Sequence, residues 1–132
     1  MAVTATPIFV QAPRVALGAL SVANTNRDGS GTLVTVWTAG ADGSRIDHID
    51  LVASGTTTAG VIRLYIHDGS SARLWKERLV TAITPSTSVA VWSDTIDCSQ
   101  PQNILLLQSG YSLRAAPHNA ETFNVHAIGG DF

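Results

Sequence analysis

The sequence predicts an all-β protein: a single antiparallel β-sandwich, jelly-roll-like, of eight to ten short strands. Three observations carry that expectation. Apart from Ala and Leu, good helix formers are scarce, with Lys76 the single lysine and Glu77 and Glu121 the only glutamates, while Thr, Val, Ile and Ser are abundant among the 132 residues. Apolar residues recur with period two rather than 3.6. Clusters of Gly, Pro and Asp break the chain at short intervals.

Taken in order, the candidate strands are 8–10, 15–23, 32–38, 45–53, 61–68, 74–81, 88–96, 104–107, 111–115 and 122–128. Pro7 and Pro13 mark residues 1–14 as an extended arm or edge strand, since proline cannot donate to a ladder, and leave residues 15–132 as one sandwich domain. Asp28-Gly29 is a loop tip, because Gly supplies positive φ at no steric cost, and Asp42-Gly43 and Asp68-Gly69 repeat the signal. In 61–68, Ile62, Leu64 and Ile66 share one face; Val61, Arg63, Tyr65 and His67 share the other. In 74–81, Trp75 and Leu79 fall on one parity, with Ile83 beyond, and Leu74, Lys76, Arg78 and Val80 on the other. Thr84-Pro85 and Gln100-Pro101 are breaks, and Phe123, Val125 and Ala127 alternate with Asn124, His126 and Ile128.

The length fits one domain, and area scaling buries about two-thirds of the chain's surface, enough for a core without staples. Charged residues make up 14 % and hydrophobic ones 45 %, which argues against a charge-driven disordered chain or a coiled coil. A net charge of −2 offers no basic field for a phosphate backbone, so no nucleic-acid partner is expected. No apolar run reaches the 18 or so residues of a membrane span, and the first residues lack the pattern of a secretory leader. Cys98, being single, forms no internal disulfide.

Motifs that carry chemistry are sparse, and neither a catalytic residue, a cofactor nor a metal is expected. Asp47, His48 and Asp50 place two potential metal ligands, His48 and Asp50, on one strand face, but no other segment supplies an obvious third. Gly-x-Ser-x-Gly is absent, and Cys98 has no assigned His partner, so a structural thiol is expected. Carboxylate pairs drawn from Glu77, Asp94 and Asp97 are no more than a sandwich with ten acids offers by chance. Gly129-Gly130-Asp131-Phe132 lacks the Glu of the diguanylate cyclase signature, and the α/β pattern around that signature is missing; the glycines read as a strand end. Trp37, Trp75 and Trp92, with Tyr65 and Tyr111, suit core or interface packing, and could also line a sugar platform.

One set of segments resembles a known group. Ala41-Asp42-Gly43-Ser44-Arg45-Ile46-Asp47-His48-Ile49 leads into Asp50-Leu51-Val52-Ala53, followed by Thr56–Ile66 and Leu74-Trp75-Lys76-Glu77. Leu105-Leu106-Leu107, Gly110-Tyr111-Ser112-Leu113-Arg114-Ala115 and the closing Asn124–Phe132 complete it. From about Thr32 onward this resembles small virion structural proteins of tailed bacteriophages, of the capsid decoration, head spike or fibre type. The resemblance implies a β-sandwich present in many copies on the particle surface, made in the host cytoplasm. It further implies a homo-oligomer, commonly a trimer, whose partners are the major capsid protein and itself. It carries over no catalytic residues. A tail, fibre or baseplate component holding a host surface glycan is the alternative. Contact residues are expected in the arm and at loop tips: Pro7, Phe9, Asp28, Asp42, Asp68 and His118.

Overall fold

Period-two alternation gives each strand one apolar side, and two sheets facing each other hide those sides from water. A computed structural model describes residues 10–132 and arranges them in this way. The strands are β1 (Ala12–Leu20), β2 (Val34–Thr38), β3 (Ser44–Ala53), β4 (Gly60–His67), β5 (Ala72–Val80), β6 (Ser93–Asp97), β7 (Leu105–Leu107), β8 (Ser112–Pro117) and β9 (Phe123–Asp131). A single 3₁₀ turn, Pro101–Asn103, lies between β6 and β7.

All pairings are antiparallel. The first sheet runs β1-β9-β3-β6, with β7 also on β3, and the second runs β2-β8-β4-β5. β6 pairs with His48–Val52 and β7 with Ser44–Ile46, so the two continue one edge strand that residues 98–104 interrupt. Counted as one, they give two four-stranded sheets in the jelly-roll order, and the predicted fold class holds. The core between the sheets includes Trp37, Ile46, Ile49, Leu51, Ile62, Leu64, Leu113 and Val125, each no more than 1 % exposed.

Each of the nine strands lies in or near a predicted segment, and the differences are local, with β6 starting at Ser93, five residues later than predicted. β1 starts at Ala12 and ends at Leu20, three residues earlier at each end than predicted, so the boundary drawn after residue 14 falls inside an edge strand. The segment 8–10, together with Pro7 and Phe9, lies almost wholly outside the described residues. The two glycines do not end a strand: β9 continues to Asp131, between β1 and β3. There a Cβ on Gly129 would collide with the Arg45 carbonyl oxygen, so only glycine permits the approach.

Of three bulges, at Val36, Asp47 and Trp75, the last two bear on the predicted faces. One, at Asp47 in β3, lets Ile46 and Ile49 both face the core although they are three residues apart. The second, between β4 and β5, pairs Leu64 with Lys76 and Tyr65 with Leu74. Trp75 then packs against the core while Leu79 stands 77 % exposed, so the predicted common face for these two residues does not form. Asp-Gly turns form as predicted, with Gly29, Gly43 and Gly69 at φ 88°, 90° and 101°.

Candidate functional site

The two outer faces of the sandwich are finished differently. On the second sheet, the β1–β2 connection, residues 21–33, crosses the outside of β8, β4 and β5 as a strap. Asn24 N–H donates to the Pro117 carbonyl on β8 at 2.9 Å, and Arg27 Nε reaches both oxygens of Glu77 on β5, at 2.9 and 3.1 Å. Beneath the strap lie Arg63, 1 % exposed, and Tyr65, 0 % exposed, both on the outward parity of β4. Arg63 Nη1 donates to the Asn24 carbonyl at 2.9 Å, and Nη2 lies 3.1 Å from His118 Nδ1. Arg63 Nε stands 3.3 Å from Glu77 Oε2 as an ion pair, off the axis of a hydrogen bond.

The remaining polar atoms of this network are tied to the strap. Tyr65 donates its hydroxyl to the Asn26 carbonyl at 2.7 Å. Buried Asn24 donates to the carbonyls of Ser30 and Thr32 and accepts from Asn26 N–H, which fixes the strap's curvature. The Arg27 contact, followed by the charge of Arg63, holds the Glu77 carboxyl below its usual range, with desolvation opposing. Burial pushes the Tyr65 hydroxyl up, against the pull of Arg63.

Among the described residues, no such strap covers the first sheet. Register places Val15, Ile128, His48 and Asp97 in one row across it, and Leu17, His126, Asp50 and Thr95 in the next. At its β1 side the face is apolar, with Val15 63 % and Leu17 66 % exposed. At its β6 side it is polar: His48 Nε2 lies 3.7 Å from Asp50 Oδ2, and Thr95 donates its hydroxyl to Asp50 at 2.9 Å. No group of three His, Cys, Asp or Glu placed to hold a metal ion occurs among the described residues.

The predicted contact residues scatter. Asp28 and Asp68 are exposed loop tips at one end of the molecule. Asp28 accepts from Ser30 and Asp68 from Ser70 and Ser71, contacts that lower both carboxyls, Asp68 to about 2. Asp28 lines a polar cleft of about 540 Å³ that also holds His67, Ser70 and Arg114. Asp68 lines a neighbouring cleft of about 300 Å³, and Ser71 belongs to both. Asp42 and His118 are half-buried rather than free, His118 because it packs against Arg63 under the strap.

Of the five aromatic residues considered for a sugar platform, Trp37, Tyr65 and Trp92 are buried, and only Trp75 and Tyr111 reach a cleft. Cys98 is buried beside the interruption of the edge strand, and burial pushes its thiol up to about 11, so it is protonated at neutral pH. Asp131 is a structural hub. Burial works against its charge, yet the Ser44 hydroxyl at 2.5 Å and Arg14 Nη1 at 2.9 Å hold it below the usual range. Arg14 also lies over the Trp37 ring, 4.2 Å from its centroid. Sequence reasoning missed Arg63 as a buried residue, since an Arg on the polar parity of a strand carries no signal of a loop folded over it.

No family model, curated protein or solved structure matches this chain.

Proposed function

We propose that the protein is a non-enzymatic structural component of a bacteriophage virion, a capsid decoration protein that binds the assembled head as a homo-oligomer, a trimer, and stabilises it. The observation that carries this reading is the first sheet, left uncovered by the described residues, with Val15 and Leu17 on one face of β1 and more than 60 % exposed. Together with the resemblance in the sequence, it points to area burial rather than chemistry as the mechanism. Full burial of a Val or Leu side chain contributes about 1.5–3 kcal/mol, and the low charge of the chain keeps the desolvation cost of contact small.

The partners are the major capsid protein and further copies of this chain, on the particle surface. Binding to the assembled shell and not to its separated subunits stabilises the shell by mass action. Linked copies raise the effective affinity further without new kinds of contact. Cosedimentation of the purified protein with empty heads assembled without it, alongside its mass by light scattering, tests the reading. Saturable binding by a trimer is expected. A protein that stays in the supernatant overturns the proposal.

A further inference from the structure

We propose that the cleft between Trp75 and Tyr111 is a binding subsite for one pyranose ring of a glycan. It has about 300 Å³ of space, the lower end of the roughly 300–1,000 Å³ range of small-ligand pockets, and so suits a single ring. Its walls combine the two groups a sugar needs. Trp75 and Tyr111 offer aromatic surface for the C–H face of the ring. Asp68, Ser71 and Arg73 supply acceptors and donors for hydroxyls.

Each of these groups is held in place. The β4–β5 bulge sets Trp75 half-exposed, with its body against the core and Lys76 Nζ over the ring, 5.5 Å from its centroid. A turn with Gly110 at φ 87° sets Tyr111, whose N–H donates to the Gln108 carbonyl at 3.0 Å and whose carbonyl accepts from Ala39. In Asp68, Oδ1 takes the turn's donors, Ser70 N–H at 2.9 Å and Ser71 N–H at 2.8 Å, which leaves Oδ2 for a ligand. Arg73 is exposed, and its guanidinium has no hydrogen bond or ion pair among the described residues. A carboxylate oxygen and a free guanidinium on one rim match the vicinal hydroxyls of a pyranose. Rigid aromatic walls reduce the ordering cost of binding. The adjoining cleft across Ser71, lined by Asp28, His67 and Arg114, gives a longer saccharide a polar continuation.

A sugar subsite here is compatible with a place on a head or on a tail. Tryptophan fluorescence tests it directly, because Trp37 and Trp92 are buried and Trp75 is the reporter. The probes are the methyl pyranosides of glucose, galactose, mannose and N-acetylglucosamine, and N-acetylneuraminic acid. At least one is expected to shift the emission saturably. Arg73→Ala removes an exposed side chain with no protein partner, so the fold is retained while affinity falls about tenfold or more. Trp75→Ala is expected to abolish the binding seen by ligand-observed NMR, and His48→Ala, on the opposite sheet, to leave it unchanged. If none of these sugars alters the emission, or if one binds Arg73→Ala and Trp75→Ala as tightly as the wild type, the subsite does not exist. Head binding by Arg73→Ala is a separate readout, so failure of the sugar site leaves the decoration reading standing.

Discussion

The outer faces of the two sheets start from the same alternating pattern and end in opposite states. On β4 the outward Arg63 and Tyr65 are sealed under residues 21–33, while on β1 the outward Val15 and Leu17 stand in solvent. Polarity alone would assign these the other way round. The difference teaches that a long connection can turn an outer sheet face into a second, polar core, held by directional bonds rather than by apolar area. A face without such a cover keeps its apolar residues available to a partner. The strapped face therefore bears on stability, and the bare face on association.

Breaking the strap network should have the largest effect. Arg63→Ala leaves the Asn24 carbonyl and His118 without their partner and Glu77 with one cation fewer. A loss of about 2–4 kcal/mol is expected, below the full cost of splitting a buried pair because Glu77 is partly solvated. Chemical denaturation measures it, and an unchanged midpoint would show that the strap is not coupled to the sheet. Next comes Asn24→Ala, which strands the carbonyls of Ser30 and Thr32 and should cost about 1–3 kcal/mol. Tyr65→Phe removes one hydroxyl and the bond to Asn26, and about 1 kcal/mol is expected.

Acid sharpens the same comparison. The carboxyl of Glu77 sits below its ordinary 4.5 in the folded protein, so the stability it contributes is full above that value. That contribution declines as pH falls through the lowered value. Amide resonances of the strap should then follow the Glu77 titration while those of Ala127, in the core of the first sheet, do not. Strap resonances that stay fixed down to the depressed pKa of Asp68, about 2, would contradict this. The smallest effect on stability belongs to the bare face: Leu17→Asp should change it by no more than about 0.5 kcal/mol.

Much of this architecture was legible in the sequence. Period two and the Asp-Gly turns located the nine described strands to within three residues, except the start of β6, because both signals are local: the pleat fixes the first, and positive φ at Gly fixes the second. What the sequence hid depends on distant partners. The bulges at Asp47 and near Trp75 are single-residue slips set by the facing strand, and the second separated Trp75 from Leu79, which stands on the outer face. Gly129 reads as punctuation until the Arg45 backbone is seen against it. Burial of Arg63 arises from a loop that starts some 40 residues earlier in the chain. Among the contact residues, exposure was read correctly for Asp28 and Asp68, whose turns project from the surface. It was not for His118, which the Arg63 network draws in.

The most direct test of the division between the two faces is cosedimentation of wild type and Leu17→Asp with empty heads assembled without the protein, each variant first shown to melt at the same temperature. The account predicts saturable binding by the wild type and its loss in Leu17→Asp with the fold intact. Equal binding by both, or binding by neither, would contradict it.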